Sequence, residues 1–319
     1  MSALTRPKVL ATLRSFDLAV IAVLFGLLAW VLSIQRVTDF VIFAIFVVSF
    51  DLLYGQMGRL SFGHMLFLGT GAYASALTAV HLGGNPVLAL VMATAAGGLV
   101  ALLLGPMTVR TTGACFALIN LAFNQVWHFL ALIAFATWTG GEDGLAVWMQ
   151  PVGPLDFGDK RVMFAFALVS LLAVIWLTRR LTDSPFGILL RGIKQNEMRV
   201  RFLGYDVFRA KLLAFVVSGA LAAFAGGLSA LNYGYVTPSF VDPGRNVEVI
   251  FACLIGGAGS VYGAVTGGVV YMLISNFLPS YVQRWEMLLG FALLVLVFRF
   301  RSGLWGFVVS RLGPRAEET

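Results

Sequence analysis

Residues 38–64 read TDFVIFAIFVVSFDLLYGQMGRLSFGH, an apolar run that leads into a stretch rich in glycine. The apolar part, residues 38–54, reaches the lower limit of roughly 17–25 residues for a membrane-spanning helix. The glycines that follow predict a break, and broken backbone at membrane depth must face protein or a water-filled cavity. This stretch therefore predicts an all-α integral membrane protein with interrupted spans.

The composition of the whole chain supports the same class. Of its 319 residues 59% are hydrophobic and 12% are charged, and the mean hydropathy is +0.90, whereas soluble domains carry about 25% charged residues. We predict about 8–10 transmembrane or re-entrant helices within a single transmembrane domain, residues 1–319. The candidate spans are residues 17–35, 38–54, 63–82, 87–109, 115–137, 161–178, 211–233, 247–258, 261–278 and 285–300.

The distribution of Lys and Arg predicts the orientation of these spans. The basic N-terminus has no small-residue cleavage site, so we expect a retained first helix with a cytoplasmic N-terminus. Most basic residues then fall inside, in agreement with the positive-inside rule, which explains the net charge of +7 without a nucleic-acid partner. The expected topology has a periplasmic loop at 138–160, a cytoplasmic loop at 179–210, a cytoplasmic tail at 302–319 and both termini inside.

Residues 184–204 form the most patterned part of the predicted cytoplasmic loop. Proline is tolerated in a first helical turn, so Ser184 and Pro185 fit a helix start with a serine cap. Apolar and basic residues then alternate at helical spacing up to Gly204, a candidate C-cap. The pattern predicts an amphipathic helix or helix pair, which is either a solvated loop at the lipid headgroups or a docking element for a cytoplasmic motor.

Two glycine-rich breaks interrupt the predicted spans. The early break, residues 55–64, and the late break, residues 256–263 (GGAGSVYG), have a similar composition in the two halves of the chain. Such a pair indicates a pseudo-repeated fold with a substrate site between discontinuous helices, whose free N–H groups suit a carboxylate. The alternative is that the glycines only let helices pack closely.

Several polar residues lie at predicted membrane depth, where each is expected to have a partner. Asp51 and Arg59 are one possible pair, and Glu248 is a candidate to hold the late break by accepting backbone N–H bonds. His64 follows a glycine break, although a lone histidine at a helix start is more often structural. A purely structural role for these residues remains open beside contact with solute.

The chain has no phosphate-binding loop, no Ser-His-Asp arrangement and no metal-ligand cluster in its sequence. Its two cysteines, Cys115 and Cys253, lie in apolar runs without metal or redox spacing. We therefore predict a non-catalytic transport subunit without a metal or cofactor of its own.

Several runs of sequence together resemble the LivM-type permeases of branched-chain amino acid ABC importers, in order and over residues 40–280. They are FDLLYG from Phe50, LSFGHMLFLGTGAYASAL from Leu60, RTTGACFALINLAFNQ from Arg110, TGGEDGL from Thr139, the 184–230 stretch and NVEVIFACLIGGAGSVYGAVTGG from Asn246. The chain departs from the family where Asp51 replaces a common Asn and Arg59 a common Gln.

This resemblance implies an importer with two membrane subunits, in which the partner is a LivH-type paralogue or a second copy of this chain. It also implies two cytoplasmic ABC ATPases, which hold ATP and Mg, and a periplasmic solute-binding protein. The expected function is a translocation pathway for branched-chain or related amino acids in the bacterial inner membrane. The alternatives are an ABC permease for urea, amides or aromatic acids, an ion-coupled secondary transporter, and a membrane scaffold or channel.

The site residues follow from the breaks and from the resemblance. Candidates for the translocation pathway are Asp51, Gly55, Arg59, Ser61, Gly63, His64, Thr111, Thr112, Asn120, Glu248, Gly256, Gly257 and Ser260. Candidates for coupling to the ATPase, implied by the resemblance, are Ser184, Pro185, Phe186, Gly187, Arg191, Ile193, Asn196, Glu197 and Gly204.

Overall fold

The computed structural model describes residues 6–151, 156–282, 284, 287–288, 290–291 and 303–312. This part of the chain is built from α-helices, which confirms the predicted class. The helices are α1 (Arg6–Val31), α2 (Ile34–Asp51), α3 (His64–His81), α4 (Pro86–Thr108), α5 (Ala114–Phe129), α6 (Ala136–Thr139), α7 (Lys160–Thr182), α8 (Pro185–Phe202), α9 (Val207–Tyr233), α10 (Asn246–Gly256), α11 (Val261–Phe277) and α12 (Gly303–Leu312). Two short strands, β1 (Leu145–Ala146) and β2 (Tyr235–Val236), pair antiparallel.

Within the described part of the chain, six helical segments are long and apolar enough to cross a membrane. They are Ile34–Gln56, Pro86–Thr108, Ala114–Ala134, Lys160–Thr182, Val207–Tyr233 and Val261–Ser280, and α1 adds the shorter apolar stretch Leu18–Val31. The predicted span at 63–82 is the 18-residue helix α3. The predicted span at 285–300 lies outside the described residues, so the total of 8–10 spans stays a prediction.

Helix α2 lies at the centre of the bundle. Its sequence between Phe40 and Phe50 is almost wholly apolar, a pattern typical of a helix that is buried all round. Within the apolar window of Ile34–Gln56, 83% of the residues are buried, against 28% for Pro86–Thr108. The central position of α2 places the early break, which follows it directly, inside the protein.

Helices α3, α4 and α9 pack against one another beside α2. Small residues at their contacts bring the backbones close, as is common between membrane helices. A Cβ atom on Gly71 would overlap the carbonyl oxygen of Ala223, and one on Gly226 would overlap that of Leu68. These glycines fix α3 against α9 along its length.

Helix α10 corresponds to the segment predicted at 247–258. Its 11 residues extend only about 16 Å, roughly half of a 30 Å hydrocarbon core. It is preceded by two 3-10 turns, Pro238–Val241 and Pro243–Arg245, and Phe240 and Val241 are buried. The segment is therefore helical, and its place among the transmembrane or re-entrant helices stays a prediction.

Helix α8 is the predicted helix pair. It begins with Pro185 in the first turn, as predicted, whereas the expected serine cap is absent because the Ser184 hydroxyl donates to the carbonyl of Leu181. Asn196 leaves the helical conformation (φ −160°, ψ 98°), and its side chain accepts a hydrogen bond from the Arg199 N–H to start a second short helix. Gly204 ends the pair with φ +86°, which confirms the predicted C-cap.

Part of the predicted tail is packed against the protein. Helix α12 begins at Gly303, where a Cβ atom would overlap the backbone of Gly257 in the late break. The rings of Trp305 and Tyr262 lie 5.3 Å apart. The C-terminal segment thus supports the late break rather than hanging free over residues 303–312.

Candidate functional site

The early break begins where α2 passes into a π-helix at Leu52–Gln56. Such π segments within α-helices are frequent at functional sites. The chain then turns at Gly58, which has φ +73°, and α3 begins at His64. The late break turns at Gly257 and Gly259 before α11 begins. Both breaks therefore have the same plan of helix, left-handed glycine and new helix.

The two breaks are in direct contact. The Asp51 carboxylate accepts hydrogen bonds from the Gly259 N–H at 2.7 Å and from the Cys253 thiol at 3.5 Å. The side-chain amide of Gln56 donates to the Gly259 carbonyl at 3.0 Å. A Cβ atom on Gly55 would overlap both Asp51 and Gly259. The structure thus joins the predicted breaks through close backbone packing, and any contact with solute stays a prediction.

Two of the predicted partnerships are wrong. Arg59 does not pair with Asp51, because its guanidinium contacts the Glu197 carboxylate at 2.6 Å. Glu248 does not hold the late break, because it pairs with Arg245 at 2.9 Å. The carboxylate that accepts a backbone N–H of the late break is Asp51 itself, since its burial requires hydrogen-bond donors and Gly259 supplies one.

Helix α8 is fastened to the early break by three charged side chains. The Lys194 ammonium donates to the Gly55 carbonyl at 2.7 Å, and Arg191 donates to Gln56 at 3.3 Å. Glu197 adds the pair with Arg59. We call these three contacts the α8–break junction. It connects an amphipathic helix pair to the interrupted centre of the bundle.

The carboxylate of Glu197 lies between cations from three segments. The Arg59 and Lys211 side chains, which are 13% and 5% exposed, contact it at 2.6 and 2.9 Å, and Arg201 lies at 3.6 Å. Burial raises the pKa of Glu197, but the hydrogen bond and charge of Lys211 and the charges of Arg59 and Arg201 outweigh it, so the pKa is below its ordinary value. Glu197 is therefore ionised at neutral pH.

His64 is fully buried at the start of α3. Its Nε2 atom lies 3.0 Å from the Ser49 hydroxyl, and the rings of Phe46, Phe50 and Phe67 surround the imidazole. This apolar enclosure agrees with the structural interpretation of the histidine.

The remaining pathway candidates lie in three places. Ser61 accepts a hydrogen bond from the Gly63 N–H, and a Cβ atom on Gly63 would overlap the backbone of Asn120, so α5 packs on the early break. Thr111 bonds to the end of α4 and Thr112 is exposed. In the late break, Gly256 packs against α11, and Ser260 accepts from the Gly263 N–H as the N-cap of that helix.

The coupling candidates divide between the two faces of α8. Gly187 and Ile193 are buried and Phe186 is half-buried, whereas Pro185, Arg191, Asn196 and Gly204 are exposed. Large apolar side chains beside them also face outward: Ile188, Met198, Phe202 and Leu203 are 56–83% exposed. Exposed apolar patches of this kind mark interaction surfaces.

Sequence reasoning missed a buried amide network. Asn246, at the start of α10, accepts from the Met65 N–H at 2.9 Å and donates to Asn124 at 2.8 Å. Asn124 in turn donates to the Val241 carbonyl at 2.7 Å. The signal was present, because two asparagines within or beside apolar runs must find partners at membrane depth.

It also missed a cavity of about 290 Å³ between α2, α3, α9 and α11. The polar side chains on its wall include Asp39, Tyr233, Arg245 and Glu248, of which only Glu248 was predicted. Asp39 lies at the start of the predicted span 38–54, so the rule that singled out Asp51 could have been applied to it as well.

Comparison with known proteins identifies relatives along most of the chain. Residues 33–298 match the family described as the permease component of the branched-chain amino acid transport system. The chain is 28% identical over 293 residues to the high-affinity branched-chain amino acid permease protein LivM of Salmonella typhimurium strain LT2, covering 84% of this chain and 68% of the relative. It is also 28% identical over 318 residues to LivM of Escherichia coli strain K12, covering 89% and 73%.

A further relative is the permease protein LivH of Salmonella typhimurium strain LT2. The chain is 23% identical to it over 281 residues, covering 80% of this chain and 88% of the relative. No solved structure matches the chain. The apolar helices and these relatives together make this a multi-pass inner-membrane protein. Because the family match extends over most of its length, the chain belongs to the branched-chain amino acid transport system permease family.

Proposed function

We propose that this chain is the membrane-spanning permease subunit of an ATP-driven importer, and that it forms part of the pathway for branched-chain or related amino acids. Its partners are a second permease subunit of LivH type or a second copy of this chain, two cytoplasmic ABC ATPases and a periplasmic solute-binding protein. The chain itself is non-catalytic, and ATP and Mg bind to the ATPases.

The single observation that carries this proposal is the α8–break junction. The exposed apolar residues of α8 suit docking in a groove of another protein, and the charged residues of the junction bind the early break. A motor that moves α8 would therefore pull on Gly55 and Arg59 directly. The early break in turn contacts the late break through Asp51 and Gly259.

The junction suits a rigid-body switch between inward-facing and outward-facing states. Packed elements with charged and backbone contacts transmit a displacement better than a flexible loop, because they have few alternative arrangements. In this proposal α8 faces the cytoplasm, both termini are cytoplasmic and the 138–160 loop is periplasmic.

Cysteine cross-linking tests the proposal. In a Cys115→Ser background, since Cys115 is exposed and Cys253 is buried, an Ile188→Cys variant should cross-link to a co-expressed ABC ATPase subunit in native membranes. The matched control is Leu118→Cys, an exposed apolar position on α5 that is 61% exposed, as Ile188 is. Labelling of Ile188→Cys from the periplasmic side of intact cells, without a cross-link to the ATPase, would contradict the proposal.

A further inference from the structure

The 290 Å³ cavity lies at the end of the bundle opposite α8. Helix α9 begins at Val207 beside α8 and ends at Tyr233 on the cavity wall, and its 27 residues extend about 40 Å. The cavity therefore opens on the side away from the proposed motor. In the proposed orientation this is the side on which solute arrives.

Asp39 is a carboxylate on the cavity wall that makes no salt bridge with any described residue. Its carboxylate accepts a hydrogen bond from the Asn232 amide at 2.6 Å, and the Tyr233 hydroxyl lies close by. Both neighbours are neutral, and within the described part of the chain no salt bridge joins Asp39 to Lys, Arg or His. A carboxylate on a membrane-spanning helix normally has a charged or water-filled surrounding. A bound ammonium group would supply that charge.

Arg245 lies on the same wall and has donors to spare. Its guanidinium holds Glu248 through Nε and Nη2, at 2.9 and 3.4 Å, and contacts the Ser239 carbonyl at 3.3 Å. A guanidinium has five N–H donors, so two remain. Arginine is the side chain best suited to bind a carboxylate.

The rest of the wall has one apolar side, and the hydroxyl side chains of Ser229, Thr237 and Ser239 also line it. Ile42, Phe43, Phe46, Leu68 and Met272 line it on the side of α2, α3 and α11. The volume of 290 Å³ lies at the lower end of the range for small-molecule sites, about 300–1,000 Å³. A small molecule with an aliphatic part and a charged part at one end fits this lining.

We propose that this cavity binds an aliphatic α-amino acid as its zwitterion, with Asp39 accepting from the ammonium group, Arg245 donating to the carboxylate and the apolar wall enclosing the side chain. The proposal rests on the proposed function and adds an acceptor site within this chain. An amino acid offers an ammonium group to Asp39 and a carboxylate to the remaining N–H donors of Arg245, which already pairs with Glu248, whereas an amine or a carboxylic acid makes only one of these contacts.

Ligand binding to the full-length protein tests this. The chain is purified through an affinity tag with any subunits that accompany it, washed free of periplasmic proteins and placed in lipid nanodiscs without ATP. Binding of tritiated L-leucine is measured, with 3-methylbutylamine and 4-methylpentanoate as competitors that lack the carboxylate and the ammonium group. In the wild type, the inhibition constant of unlabelled leucine should be at least about tenfold lower than that of either analogue. The reason is that a hydrogen bond to a charged group contributes about 1.5–3 kcal/mol.

The decisive variant is Asp39→Asn. It should weaken leucine binding about tenfold or more and leave the inhibition constant of 4-methylpentanoate unchanged. An unchanged inhibition constant also shows that the cavity has remained folded. The matched control is Glu142→Gln, which removes an exposed carboxylate outside the cavity and should not change either value.

Three results would overturn the proposal: wild-type protein that does not bind leucine, Asp39→Asn protein that binds leucine as the wild type does, or occupancy of the site by sodium alone, which would make Asp39 an ion site. Failure of the proposed function is separable from these. Coupled uptake that is absent in the wild type, while leucine binding still depends on Asp39, removes the ATP-driven importer and leaves the site. Normal coupled uptake in the wild type, together with leucine binding that Asp39→Asn does not change, removes the proposed site and leaves the ATP-driven importer.

Discussion

Replacing Glu197 with glutamine removes the charge that Arg59 and Lys211 share and should loosen the α8–break junction. Breaking a fully buried pair costs about 3–5 kcal/mol, and an exposed pair contributes about 0–1 kcal/mol. Glu197 is 19% exposed and Lys211 only 5%, so we expect a loss of about 2–3 kcal/mol in the free energy of unfolding.

Two assays measure this effect. Thermal unfolding of the Glu197→Gln protein in detergent should occur about 5 °C lower. In proteoliposomes with the ATPases, amino acid uptake should fall about tenfold or more, while the rate of ATP hydrolysis stays within about threefold of the wild-type rate. The ATPases still hydrolyse ATP, but the contacts between α8 and the early break are weaker. The matched control is Arg201→Gln, which contacts the same carboxylate at 3.6 Å but is 65% exposed. Equal effects of the two variants would refute the reasoning.

The stabilising contribution of Glu197 should depend on pH in one direction. The pKa of Glu197 is lower in the folded protein than its ordinary value of 4.5, so its stabilising contribution is complete above that value and disappears as the pH falls through the folded pKa. The difference in unfolding temperature between wild type and Glu197→Gln should be constant at neutral pH and shrink below about pH 4.5. A difference that grows on acidification would contradict the assignment.

Substitutions at three further positions, Gly55, Asp51 and Lys194, probe the contact between the breaks and the α8–break junction. Gly55→Ala should lower the free energy of unfolding by about 1–3 kcal/mol or more because its methyl group overlaps Asp51 and Gly259, whereas Gly26→Ala, where nothing lies within 4 Å, should be neutral or stabilising in the same thermal assay. Asp51→Asn keeps an acceptor for the Gly259 N–H and should be tolerated, but Asp51→Ala should cost about 1–3 kcal/mol; equal unfolding temperatures would contradict the role of this bond. Lys194→Met keeps the apolar stem and loses the bond to the Gly55 carbonyl, so uptake per ATP hydrolysed should fall, and an unchanged ratio would show that this contact is dispensable.

Local chemistry made several elements predictable from the sequence. Proline in a first turn and glycine with a positive φ at a helix end are set by the geometry of a few neighbouring residues, so Pro185 and Gly204 were placed correctly. The glycine-rich composition also located both breaks. The short segment at 247–258 was likewise placed close to α10, whereas the 3-10 turns before it were not predicted.

Long-range partners could not be predicted. Arg59 pairs with a residue 138 positions away, and Asp51 bonds to one 208 positions away. Proximity in sequence favoured a pair between Asp51 and Arg59, yet the π-helix and the turn at Gly58 point them to different neighbours. The charge of Asp39 could have been noted from the sequence, but its place on one cavity wall with Arg245 could not, since that cavity is formed by separate helices.

The most direct test of the account measures amino acid uptake and ATP hydrolysis in the same proteoliposomes, with tritiated L-leucine as the solute. The assembled subunits with a periplasmic binding protein should accumulate leucine only when ATP is present and should hydrolyse ATP faster when the loaded binding protein is added. Leucine uptake by this chain alone, driven by an ion gradient and indifferent to ATP, would contradict the claim that α8 links the broken helices to an external motor.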